Sequence, residues 1–235
     1  MFAPDNEFDT YPMLFLGEQA IGLYLNIKKT QFIHLNPSSP SITLALDGSA
    51  IEQVEDFKYL GSYCSSTNHD VEARLSQAWG ALNSLSKIWA SRINKSTKIR
   101  LFRSTVEAIL LYGCETWSLT SSLSKSLDGA YTRMLRKVQN IPWSSHATNK
   151  TLYANLPRLT TIIQRRRMGL AGHVMRSSEP ASRVLLWEPE EKRKVGRPQL
   201  TSLDILLKDT KLDLSELRKS MLDRDVWRQI IMAPT

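Results

Sequence analysis

Apolar positions recur through most of this chain at helical spacing. Val71, Leu75, Ala78, Leu82, Leu85 and Trp89 step by four, three, four, three and four residues, the seam of a helix facing a partner. Ile99, Phe102, Val106, Ile109 and Gly113 repeat the pattern, and Leu101, Ala108, Leu110 and Leu111 widen it until the segment is apolar nearly all round. A helix of that kind is buried on several sides, so residues 96–113 predict the element around which the rest packs. Ser96 is the expected N-cap and Gly113 the expected left-handed stop. Leu123, Leu127, Ala130, Met134 and Val138 mark a third helix, closed by Ile141-Pro142. Three helices of similar length on short links predict an antiparallel bundle.

The first quarter has a different period. A short helix is expected over 13–20 and a strand over 30–35. Ile42, Leu44 and Leu46 alternate toward Asp47-Gly48, a hairpin turn signal, with Ile51 and Val54 alternating on the far side. FKYLGSY, residues 57–63, reads as a last strand. Beyond Trp143 the pattern predicts a short helix near Leu152, broken by Pro157, and a basic helix from 159 to about 176. Residues 188–198 have no apolar period and read as a linker. Two short helices, 203–208 and 223–231, close the chain, the second capped by Asp223. The fold class is therefore α+β, mainly α. A small N-terminal antiparallel sheet occupies 1–66, a three-helix bundle 67–143, and a basic helical region 144–235.

Composition then narrows the partners. A hydrophobic content of 42% and a charged content of 23% are those of an ordinary globular chain. A net charge of +8 favours acidic partners, nucleic acid first and anionic membrane second. No stretch has the apolar length to span a bilayer, and the N-terminus lacks the pattern of a signal peptide. An intracellular protein, cytoplasmic or nuclear and without a membrane partner, is the expectation. Cys64 and Cys114 make no disulfide framework and sit far in sequence from the four histidines.

Between Arg158 and Arg197 ten basic residues face four acids, a balance of +6. The run Arg165, Arg166, Arg167 suits phosphate, because each guanidinium offers a planar fork of donors; a solvated helix face fits the composition equally well. Gly169 and Gly172 permit close approach, most simply of another helix. His173 has no cysteine or acid at helical spacing and reads as structural. Asp56, Asp70 and Glu72 flank a helix start, where acids suit the dipole. Trp79 and Trp89 fall on apolar faces and read as core. Phosphate-binding glycine loops, serine elbows and paired-cysteine sites are all missing.

Six words carry a resemblance: GLYLNIKKT (22–30), FKYLGS (57–62), LLYGCETW (110–117), RMLRKVQNIPW (133–143), RRRMGLAGHVMR (165–176) and VGRP (195–198). In this order they resemble the C-terminal part of the reverse transcriptase of non-LTR (LINE-type) retrotransposons, a match reaching from about Gly22 to Trp227. The resemblance implies that 22–30 is the palm motif after the catalytic turn, with Lys29 as a lysine that protonates leaving pyrophosphate. It implies that Phe57, Lys58, Tyr59, Leu60 and Gly61 correspond to the primer grip, and that the three-helix bundle is thumb-like. The family transfers nucleotides with two metal ions held by palm aspartates. This chain starts too late for the first of these, and Phe2-Ala3-Pro4-Asp5 has a proline where the family's turn has an aspartate.

The expectation is thus a truncated, catalytically inactive portion with no catalytic residue and no cofactor, magnesium belonging to the intact parent enzyme. Sequence-independent binding of RNA, DNA or their hybrid is expected through Arg165, Arg166, Arg167, Arg176, Lys192, Arg193, Lys194 and Arg197. A helical protein-interaction module and a genomic relic without activity are the alternatives.

Overall fold

The computed structural model describes residues 26–33, 45–46, 49–63, 66–178, 180–187 and 201–233. The chain divides into two compact units, Met1–Ser66 and Thr67–Thr235. The expected class holds: a little sheet on the N-terminal side, then helices, mainly α.

In the first unit a 3₁₀ turn, Ile27–Lys29, leads into β1 (Gln31–Phe32). β2 (Ala45–Leu46) and β3 (Ser49–Ala50) pair antiparallel on either side of the Asp47-Gly48 step. β4 (Glu52–Gln53) returns to lie parallel to β1, with Gln31 opposite Glu52. The Gln31 side-chain amide donates to Glu52 Oε2 at 2.7 Å, and the Val54 N–H donates to the Phe32 carbonyl at 2.9 Å. The expected antiparallel sheet is therefore three separate strand pairs among the described residues, one of them parallel. In β3 and β4, Ser49, Ala50, Glu52 and Gln53 are all exposed, while Phe32 and Ile51 are half-buried.

FKYLGSY is not one strand but a tight hairpin of β5 (Lys58–Tyr59) and β6 (Ser62–Tyr63). Leu60 (φ 48°) and Gly61 (φ 91°) both lie in the left-handed region, as a two-residue turn matched to strand twist requires. The unbroken alternation of Phe57, Tyr59, Gly61 and Tyr63 conceals that turn in the sequence.

The second unit opens with α1 (Thr67–Ser84) and α2 (Ser86–Ala90). The central helix begins as α3 (Lys95–Phe102), widens to a π turn at Arg103–Glu107, and finishes as α4 (Ala108–Leu110). Its N-cap is Asn94 rather than Ser96. The helix starts two residues earlier than a Ser96 cap implies, so Ser96 gives its N–H to Asn94 Oδ1 at 3.0 Å instead of accepting. Gly113 does stand in the left-handed conformation (φ 73°) that ends this stretch. Thr120 caps α5 (Ser121–Val138), its hydroxyl accepting from the Leu123 N–H.

The seams meet as the periodicity requires: Val71, Ala78, Leu82 and Trp89 bury against Phe102, Val106 and Leu110, and against Leu127, Met134 and Val138. Polar groups sit inside as well. Asp70, in the first turn of α1 as expected, is 2% exposed and accepts the Trp117 indole N–H at 2.8 Å. In the π turn Glu107 faces inward and accepts from Tyr131 Oη at 2.5 Å. Lys98 is buried and donates to the Trp89 and Ser91 carbonyls at 2.6 and 2.7 Å, capping the end of α2.

After α6 (Asn149–Tyr153), the long α7 (Leu159–Met175) links two cores. Its Leu159 and Ile163 belong to the bundle core, while Met168 and Ala171 join Leu203, Leu206, Leu217, Met221 and Trp227 in a second. α8 (Ala181–Leu185), α9 (Ser202–Thr210), α10 (Leu214–Leu222) and α11 (Arg224–Met232) complete the unit. α10 was not expected: its apolar residues are scattered among charges, and Asp213 caps it by accepting from the Ser215 and Glu216 N–H groups. Gly172 does serve packing, lying directly against the Trp227 indole, whereas Gly169 faces open space. No described helix is long and apolar enough to cross a membrane.

Candidate nucleic-acid interface

The arginine run on α7 cannot present one face, because a helix turns about 100° per residue and splays three successive side chains. Arg167 is mostly buried. It donates to Asp209 Oδ2 at 2.9 Å and to the Trp117 carbonyl at 2.8 Å, and its Nε is buried with no acceptor. Burial pushes the Asp209 carboxyl up from its ordinary range, and the Arg167 guanidinium opposes that push. Arg166 donates to the Leu111 carbonyl at 3.2 Å and lies 3.9 Å from Glu115 Oε1. Arg176 donates to the Met221 carbonyl at 2.6 Å. Three of the four α7 arginines singled out from the sequence thus stitch α7 to the end of the central helix, to α9 and to α10. Among the described residues the remaining one, half-buried Arg165, enters neither an ion pair nor a hydrogen bond to protein.

The other expected residues belong to other segments of the chain. Lys29 is exposed at the end of its 3₁₀ turn. Lys58 Nζ lies 5.6 Å from the centre of the Tyr63 ring, across the 58–63 hairpin, while Tyr59 and Leu60 stand 61% and 74% exposed toward its tip. Lys192, Arg193, Lys194 and Arg197, with the 1–25 segment that carries Asp5, lie outside the described residues. Among the described residues no group of three or more His, Cys, Asp or Glu side chains is placed to hold a metal ion.

The tertiary structure gathers cations elsewhere. A groove of about 530 Å³ opens between α5 and α6, with Lys125 on one wall, Lys150 on the other and Arg158 at its end. All three are exposed, and among the described residues none enters an ion pair. One acid, Asp128, lines the same groove; its Oδ1 accepts the Thr160 N–H at 3.1 Å and its Oδ2 the Thr160 hydroxyl at 2.9 Å, which hold the carboxylate in place without removing its charge. Separations of 25 and eight residues hide this cluster from any reading along the chain.

No family model, curated protein or solved structure matches the chain.

Proposed function

We propose that this chain is the C-terminal portion of a LINE-type reverse transcriptase, with palm remnant, thumb and tail, and that it binds the phosphate backbone of RNA, DNA or their hybrid without regard to sequence. One observation carries the binding: Lys125, Lys150 and Arg158 surround one groove against a single lining acid, Asp128, so the groove keeps a net positive charge. Such a field attracts polyanions and releases their counterions on contact. The six sequence words support the family. On this reading polymerisation with magnesium belongs to the intact parent enzyme, and the chain alone extends no primer.

Fluorescence anisotropy with unrelated mixed-sequence duplexes tests the proposal. Affinity should be equal across sequences and fall with salt, with a log–log slope of about −0.9 per phosphate neutralised. A slope near zero, or no binding at low salt, refutes it. A protein-interaction module is the second reading, favoured by apolar side chains standing in solvent around α8, with Val184 68% and Trp187 60% exposed.

A further inference from the structure

We propose that the α5–α6 groove seats the phosphates of a single-stranded stretch of nucleic acid, and that Trp143 supplies the plane on which one of its bases stacks. The inference rests on the nucleic-acid reading above and assigns that reading a place and a strand form.

Trp143 is the most exposed of the six tryptophans, ahead of Trp187 at 60%, and it is the one on the connection that builds the groove. Trp89, Trp117 and Trp227 are each 2% exposed, whereas Trp143 is 85% exposed on the connection from α5 to α6. That connection is pinned. Arg136 on α5 donates through Nη2 to the Ala147 carbonyl at 2.6 Å and to Asn149 Oδ1 at 3.3 Å. The same connection therefore holds out a bare indole and, six residues on, delivers Asn149 and Lys150 to the groove wall.

An aromatic plane beside a cationic track is how single strands are held without sequence preference: every base has a face to stack, and every linkage carries a charge. A paired base in a duplex cannot offer that face. The groove suits a phosphate chain in three respects. Its volume lies within the roughly 300–1,000 Å³ of small-ligand sites. Its polar edge includes the Thr132 and Tyr153 hydroxyls, 2.9 Å apart. Its α5 side is opened by Gly129, whose missing Cβ would meet nothing within 4 Å. A side chain added there would therefore occupy the groove without disturbing the core.

The test is anisotropy on the full chain with a labelled single-stranded RNA of about a dozen nucleotides and a blunt duplex of equal length, titrated between about 50 and 200 mM salt. Three variants are compared after circular dichroism has matched their folds: Lys125→Gln/Lys150→Gln/Arg158→Gln, Gly129→Leu and Trp143→Ala. At about 0.7 per phosphate on single strands, the triple variant should show a slope shallower by about two and an affinity at least ~10-fold lower at the low-salt end. Gly129→Leu should weaken single-strand binding with no change of charge. Trp143→Ala should weaken the single strand while leaving the duplex alone, and the strand should quench Trp143 emission in the native protein.

Wild-type binding that all three variants retain would overturn the groove assignment and leave the nucleic-acid reading standing. No wild-type binding to either probe would overturn both. A Trp143→Ala variant that binds the single strand as wild type does would overturn the stacking assignment. Competition by poly-glutamate as effective as by the unlabelled strand would overturn the ligand class in favour of an acidic protein.

Discussion

Gly169 and Gly172 lie three residues apart on α7, and replacing each with alanine should move stability in opposite directions. In a helix interior alanine is better than glycine by about 1 kcal/mol, and both variants gain that term. At Gly169 nothing stands within 4 Å of an added Cβ, so the gain should appear almost whole. At Gly172 the new carbon would lie 2.3 Å from Trp227 Cδ1 and Nε1 and 3.1 Å from Arg176 Nη1. Neither neighbour yields easily. The indole is 2% exposed and its N–H is donated to the Met168 carbonyl at 2.8 Å, and the guanidinium holds the Met221 carbonyl. Overpacking costs about 1–3 kcal/mol, and moving the indole off its acceptor forfeits about 1 more. Net of the helix gain, Gly172→Ala should lose about 1–3 kcal/mol, some 2–4 below Gly169→Ala. Urea unfolding followed by far-ultraviolet circular dichroism measures both. In a cycle with Trp227→Leu, the smaller side chain should relieve much of the Gly172→Ala loss, because the two sites share one contact. A Gly172→Ala protein as stable as Gly169→Ala would refute the close-packed helix crossing.

Three further outcomes are expected. Lys98→Met should cost about 1.5–3 kcal/mol in the same unfolding assay, since it strips a charged donor from two carbonyls in a buried site; an unchanged midpoint would mean that water replaces the ammonium. The Asp213 carboxyl is held below its ordinary pKa of 3.8, chiefly by the Glu216 N–H and then by Ser215, so its contribution is present above that value and lost as pH falls through the lower folded one. Asp213→Asn keeps the cap but removes this linkage, so the gap in urea midpoint between it and wild type should be constant near neutrality and close below about pH 3.8; a gap that widens in acid would reverse the sign. Burial, with Glu115 adding to it, pushes the Cys114 thiol up to about 12, so peptide mapping should find native Cys114 alkylated at least about a hundred-fold more slowly at pH 8 than in the unfolded chain; equal rates would mean that the site opens.

The helical half of this protein was legible because a helix seam is a local pattern. Val71 to Trp89, Ile99 to Gly113 and Leu123 to Val138 each declare a buried stripe within a few turns, and burial follows that stripe at nearly every position. The Gly113 stop was legible for the same reason, since glycine takes the left-handed conformation there without the cost of a Cβ. Periodicity reports that a face is covered but not what covers it, and the misreadings have that origin. Asp70 is the helix-start acid it was read as, but its burial against Trp117 was hidden because that partner is 47 residues away. The α7 arginines looked like a phosphate surface because their acceptors, at Leu111, Trp117, Asp209 and Met221, lie 42 to 55 residues off along the chain. α10 stayed hidden because Leu217 and Met221 acquire a core only once Trp227 and α7 are beside them. The 57–63 hairpin escaped because two-residue strands and a turn keep the alternation of a single strand. Sequence order determined where helices begin, end and turn their apolar sides. Which arginines bond back to the protein, and which three cations share one groove, was decided only when α5, α6 and α7 packed, because charges interact through space and not along the chain.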